Sequence, residues 1–234
     1  MENRMRNMSW VDFDQRRKET KTVILASGAV EVYGPHLPLG SDIIVAKKIA
    51  ELVANEVGAV VGPCLEVGQS YDLMGFPGTI ACQSKNLKAV YRDICECFIH
   101  WGFENIFVVN THVANTQPLN ELMDELRREH GTKCGLIAWW QYIPTLSKDI
   151  FESPNPHGHA SEAGTSVLLY LAPELVKMSR AVNSPSKIKE AYPNIESYTP
   201  YELYTKTGTQ KGRLVVERAV AEISSFIREC LEKK

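Results

Sequence analysis

The alternation of short apolar runs with amphipathic stretches constrains this chain more tightly than any single residue. The runs "KTVILASGAV" (residues 21–30), "AVVGPCLEV", "NIFVVN" (residues 105–110) and "KCGLIAWW" are short and β-rich. Between them, apolar residues recur at helical spacing. In "SDIIVAKKIAELVANEVG" the recurrence falls on Ile44, Ala46 or Lys47, Ile49 or Ala50, and Val53. Ser84 is placed to cap "KNLKAVYRDICECFIHWG", which Gly102 ends. Thr116 is placed to cap "QPLNELMDELRREHG", with Pro118 in the first turn where its missing donor costs little. Further helices are expected in "SEAGTSVLLYLAPELV", ending near Pro173, and in the long amphipathic "GRLVVERAVAEISSFIREC". Strands alternating with helices require right-handed crossovers, so the expected architecture is a three-layer α/β/α fold around a mostly parallel central sheet.

Length and charge narrow the classes that remain. A chain of 234 residues buries a substantial core and is expected to form one domain, residues 1–234. A formal net charge of −2 gives no electrostatic reason to bind nucleic acid or an anionic membrane, which leaves a small molecule as the expected ligand. The N-terminal stretch is charged throughout and lacks the apolar core of a secretory signal, and no window reaches the roughly 18 apolar residues of a membrane span, so a cytoplasmic location is expected. The six cysteines are scattered, mostly in apolar runs, as buried thiols of a reducing compartment are. Cys95 and Cys97, two apart on a helix, point to different faces and make a poor metal or redox pair. Residues 183–210, rich in Pro, Ser, Thr and Tyr, read as long loops or short elements of the kind that serve function or meet a neighbouring subunit.

Chemistry-bearing residues collect where the strands end. "GAVEVYGPHLPLGSD" (residues 28–42) follows the first run and holds Glu31 and Asp42 among three glycines and two prolines, which suits a shaped loop rather than a helix or strand. "NTHVANT" (residues 110–116) brings His112 after the third run, and "PHGHASEAGTS" (residues 156–166) brings His157, His159 and Glu162 near a helix start. In open α/β sheets, ligands bind outside the carboxyl ends of the strands. Two readings fit these residues. They are loop groups satisfied by local hydrogen bonds, or they form a divalent-metal site with N and O ligands and a position left open for water, which suits hydrolysis.

The same segments, in the same order, resemble the creatininase (creatinine amidohydrolase) family. "GAVEVYGPHLPLGSD" stands against a typical G-s-x-E-Q-H-G-P-H-L-P-L-x-T-D, and "VNTHVANT" against N-G-H-G-G-N. "HASEAGTSVLLYLAPELV" stands against H-A-G-E-x-E-T-S-x-x-L-x-L-x-P-E-L-V, and "FPGT", the Trp139–Trp140 pair and "GTQKG" complete the match. The resemblance implies an α/β/α hydrolase, commonly homo-oligomeric, that uses one or two divalent ions (zinc, manganese or iron). It implies Glu31, Asp42 and His112 as metal ligands, with Asp42 able to bridge to a second ion. His159 is implied as the proton-transferring catalytic residue. Read from their own places in the chain, Glu162 is a supporting catalytic carboxylate, a second-metal ligand or an acid in the first turn of its helix, and Tyr33 a substrate-binding phenol or a packed ring. One of Trp139 and Trp140 faces the core while the other, Trp140, walls the substrate pocket, and Asn110 and Asn115 orient His112, contact substrate or make turn hydrogen bonds. His36 aligns with a family histidine outside the usual ligand set. Three departures weaken a second metal position: the family's E-x-H histidine is Tyr33, the glutamate of its E-T-S triplet is Gly164, and Ala114 replaces a ligand carboxylate of creatininase. The expected reaction is opening of a cyclic amide C–N bond. The alternatives are hydrolytic C–C ring opening of a cyclic diketone such as a diketo-inositol, and a non-catalytic binding protein on the same fold.

Overall fold

The computed structural model describes residues 2–154, 156–181 and 207–232. Its sheet contains β1 (Thr22–Ser27), β2 (Val60–Val61), β3 (Asn105–Asn110) and β4 (Lys133–Ala138), all parallel and ordered β2-β1-β3-β4. The alternating residues of β1 separate the two cores. Ile24 and Ala26 pack with α2 (Ser41–Val57), α5 (Trp139–Leu146), α6 (Glu162–Leu171) and α7 (Thr209–Glu232). Val23 and Leu25 pack on the other face with α3 (Ser84–His100) and α4 (Thr116–His130). Period-2 side chains therefore make one buried sheet serve two helical layers, the α/β/α arrangement expected.

Register decides where the loops begin. Ser27 pairs with Asn110 and Asn110 with Ala138, so β1, β3 and β4 end at one level and release their following loops side by side. The chain leaves β1 toward β2 on one edge, while β3 and β4 lie on the other. That reversal opens a crevice between the carboxyl ends of β1 and β3.

Four local expectations are corrected. The strand expected over "AVVGPCLEV" shrinks to Val60–Val61, because Pro63 brings no backbone donor to continue the ladder. Trp139 and Trp140, expected at the end of a strand, open α5 instead: β4 stops where its partner β3 stops, and Trp139 packs into the core with Ile143, one turn later. Ser84 and Thr116 are the first helical residues rather than caps, with Gln83 and Asn115 at the cap positions and no side-chain cap bond at either. An unforeseen helix, α1 (Trp10–Glu19), is set by a capping box between Ser9 and Asp12; it buries no residue, so it carries almost no periodic signal. Of the irregular 183–210 stretch, residues 183–206 lie outside the described residues, and Thr209 and Gln210 open α7.

Two contacts lock α7 against α6. Gly212 lies so close to the Ser166 backbone that a Cβ would overlap its carbonyl oxygen. One residue earlier, Lys211 Nζ lies 2.6 Å from Oε1 of the fully buried Glu162 and 2.8 Å from Glu152. Backbone N–H groups of Glu152 and Ser153 also donate to the Glu162 carboxylate, at 3.2 and 2.8 Å. Burial opposes the charge on Glu162, but Lys211 and these donors outweigh it and hold its pKa below the usual carboxylate range. In urea denaturation, Gly212→Ala is expected to destabilise by about 2–3 kcal/mol despite its better helix propensity, because backbone atoms are what the new methyl meets. Lys211→Met, which strands a buried carboxylate, is expected to lose about 2–3 kcal/mol, and adding Glu162→Gln to recover part of it; an unchanged midpoint in both experiments would refute this packing.

Candidate metal centre

The loop after β1 is shaped before it reaches its acids. Glu31 N–H donates to Leu39 O at 2.9 Å, closing the loop at its base, and Ser41 Oγ donates to Pro38 O at 2.6 Å where α2 begins. This brings Glu31 beside Asp42, in the first turn of α2, where the helix dipole favours a carboxylate. His112, just past β3, completes the group. Its Nδ1 is 3.1 Å from Asp42 Oδ2 and 3.3 Å from Glu31 Oε1.

All three residues are buried, and their ligand atoms lie within 4.8 Å of one another. Both oxygens of Glu31 and Oδ1 of Asp42 are enclosed with no hydrogen-bond partner. Buried carboxylates in that state call for a cation. Burial alone would raise the Glu31 pKa, but His112 and His159 outweigh it and hold it down to about 2. Asp42 is shifted the other way by its complete burial, against the pull of His112. Burial disfavours protonated His112, yet Asp42 and Glu31 push its pKa up to about 11. The cluster stabilises positive charge at one point, and its carboxylate and imidazole donors fit a divalent transition metal. The other comparable grouping among the described residues, Glu96, Glu129 and His130, is exposed, and its Glu129 is paired with Arg92.

Surrounding contacts orient the imidazole. Gln69 O accepts a hydrogen bond from His112 Nε2 at 2.7 Å, which leaves Nδ1 facing the carboxylates. Asn115 in turn holds Gln69: its Oδ1 accepts from Gln69 N–H at 3.0 Å, while its Nδ2 donates to Ser27 Oγ and Gly28 O. The segment around Gln69 was not singled out from sequence, because it lies in an irregular loop and acts through its backbone carbonyl.

The cluster opens into a cavity of ≈ 380 Å³. His159 lines it with Nε2 3.0 Å from Glu31 Oε1, on a turn where Ala160 has a φ of 56°. Tyr33 meets the His159 ring edge-on at 4.8 Å, and Trp140 stands 6.4 Å from the Tyr33 ring, so both aromatics form a wall. Trp139 is wholly in the core. A Cβ at position 164 would sit 3.1 Å from Tyr33 Cε1, so Gly164 makes room for the phenol ring.

Two sequence-predicted residues are placed elsewhere. Glu162 does not line the cavity, since Lys211 and the 152–153 backbone engage its carboxylate. Asn115 is fully buried and spends its amide on the framework under His112. His36 is buried with Nε2 3.0 Å from Thr165 Oγ1, and burial lowers its pKa to about 4; it does not line the cavity, in keeping with a histidine outside the ligand set. Cys95 is buried and Cys97 exposed, both free. No described helix is long and apolar enough to cross a membrane.

Comparison with known proteins places this geometry in context. The creatinine amidohydrolase family model matches residues 6–227. A creatinine amidohydrolase from Pseudomonas putida is 26% identical, covering 95% of each chain. A mycofactocin precursor peptide peptidase from Mycolicibacterium smegmatis is 30% identical over 75% of this chain and 68% of its own. A 3-dehydro-scyllo-inosose hydrolase from Thermotoga maritima is 25% identical over 77% of this chain and 60% of its own. Solved structures of a zinc–zinc form of a creatininase mutant and of a manganese creatininase share the fold, with TM-scores of 0.80 and 0.77, 22% identity and full coverage of both chains. From the strand-end cluster to the family match over nearly its whole length, the chain belongs to the creatininase family of hydrolases.

Proposed function

We propose that the protein is a metal-dependent amidohydrolase that opens a C–N bond of a small polar cyclic amide, using one divalent ion (zinc, manganese or iron) held by Glu31, Asp42 and His112. The observation that carries this reading is the pair of buried carboxylates, three of whose four oxygens have no hydrogen-bond partner, gathered around one imidazole at the strand ends. When bound, such an ion supplies Lewis acidity, polarising a carbonyl and lowering the pKa of water. Gln69 O fixes the His112 ring so that Nδ1 faces inward. His159 borders the cavity beside Glu31, where its Nε2 can take a proton from the attacking water and return it to the leaving nitrogen. Tyr33 and Trp140 supply flat apolar walls against which a ring lies, and limit water around it. Amide C–N cleavage is favoured because the Pseudomonas putida relative, named for that chemistry, aligns over 95% of both chains.

A second reading, hydrolytic C–C opening of a cyclic diketone, is favoured by the relative named as a 3-dehydro-scyllo-inosose hydrolase. It uses the same ion and the same proton carrier. A non-catalytic binding role is disfavoured because His159 sits beside the cluster in an open cavity, poised for proton transfer rather than packing.

Plasma mass spectrometry on protein purified without chelator is expected to find about one metal per chain, because one buried three-ligand group is present among the described residues. His112→Ala is expected to lose the metal. Two ions per chain, or one that survives this substitution, would contradict the ligand assignment. With creatinine, other cyclic amides and diketo-inositols assayed side by side, Glu31→Ala is expected to abolish turnover with the fold retained. His159→Gln is expected to keep the metal and to lower kcat by roughly 10²–10⁴-fold. Full activity in either variant would overturn the roles of Glu31 as a metal ligand and His159 as the proton carrier.

A further inference from the structure

We propose that Val113 makes this cavity selective for substrates that carry an apolar substituent on the side away from the carbonyl under attack. The inference rests on the metal centre proposed above and names the substrate class that such a centre serves. The cavity has two unlike parts. Its polar groups centre on Glu31, Asp42 and His112, while Leu73, Val113, Ala114 and Trp140 contribute hydrocarbon to the lining. Leu73 is buried, but Val113 is 60% exposed although it lines a concave site. Apolar surface that a protein leaves open inside a cavity is surface for a ligand to cover.

Val113 is fixed where a ligand on the ion meets it. It directly follows His112 and opens the turn Val113–Asn115. His112 O accepts from Asn110 Nδ2 at 2.8 Å and from Asn115 N–H at 3.1 Å, and Asn115 is itself buried, so the turn is pinned at both ends. A β-branched side chain on a pinned turn has little rotamer freedom, and its methyl groups are in place before a ligand arrives. Val113 and Trp140 also share the lining of the narrow crevice beside the cavity, which reaches Ala138 at the end of β4, so the valine and the indole form one apolar shelf. A ring held at the ion through its carbonyl and lying along Trp140 directs a substituent over this shelf. An alkyl or aryl group there takes its own surface and that of Val113 out of water, whereas a hydroxyl in the same place is desolvated against hydrocarbon. The substrate class this selects is a compact cyclic amide, polar at the reacting end and carrying an alkyl or aryl substituent on its far side.

Hydroxamates test this without knowing the substrate, because the hydroxamate anchors on the ion. The probes are benzohydroxamate and its 4-ethyl and 4-hydroxymethyl derivatives, the last two alike in shape, with acetohydroxamate as a control that has no ring. Their Kd values for the zinc-loaded full chain are read by titration calorimetry. The 4-ethyl probe is expected to bind roughly threefold to tenfold more tightly than benzohydroxamate, the gain of two partly covered carbons, with a more negative heat-capacity change, and the 4-hydroxymethyl probe to gain nothing. Val113→Ser is expected to remove most of the ethyl preference, and Val113→Thr, which keeps the branched shape, part of it, with metal content as the check on both. If acetohydroxamate fails to bind the zinc-loaded chain, or binds His112→Ala equally well, the metal-centre reading falls and this inference with it. If acetohydroxamate binds but the ring probes bind equally, favour the hydroxymethyl group, or do not bind at all, the apolar selectivity alone is overturned. An ethyl preference that persists undiminished in Val113→Ser also overturns it. A shelf that instead meets a second copy of this chain shows as a lower sedimentation coefficient for Val113→Ser with the probe order unchanged, and that result overturns the proposal too.

Discussion

Burying Glu31 and Asp42 side by side is the constraint on which the rest of this molecule depends. Taking a carboxylate out of water costs several kcal/mol after relaxation, and two together repel. His112 answers part of that charge by lying within 3.3 Å of both, and the donor-free oxygens that remain are the reason to expect a cation. Such a cluster survives folding only if the scaffold prevents the acids from turning toward solvent. The closed loop between β1 and α2 does so on one side, and the rigid exit of β3 on the other.

The scaffold achieves this with backbone groups more than with side chains. Strands of equal level place the three loops together, and the reversal of strand order separates them enough to leave a cavity. Asn115 then joins the end of β1 to Gln69, whose carbonyl sets the imidazole. A buried amide spent on the ends of two other segments is a framework element, and this explains why a residue suited by type to substrate binding is enclosed instead. Glu162 follows the same logic at the start of α6: its carboxylate gathers a lysine and two N–H groups and binds the segment preceding His159 to the helix.

Most of the secondary structure was legible because its periodicity reports burial. The four β-rich runs and the helices between them needed no partner to be recognised. The errors occur where local preference met a tertiary limit. Trp139 and Trp140 suit a strand by type, but β4 had no neighbour to pair with beyond Ala138, so the chain turned into α5. α1 escaped notice because none of its residues is fully buried and Phe13 alone among its apolar residues packs partly on the core, and periodicity is the trace that burial leaves. In the site, Glu31, Asp42, His112, His159, Tyr33 and Trp140 were named from the chain and meet at one cavity. Gln69 was not, since it acts through its backbone carbonyl.

By itself the sequence determined the layers, the parallel sheet and the identity of the chemistry-bearing residues, because hydrophobic period and residue type are local properties. Which of those residues face one another was decided only by tertiary structure. Asn115 and Glu162 have the same functional groups wherever they stand, and it is the approach of Gln69 to one and of Lys211 to the other that turns them from the cavity into the frame. Contacts between segments 46 and 49 residues apart, as these are, depend on strand register and helix packing, and no short stretch of chain encodes either.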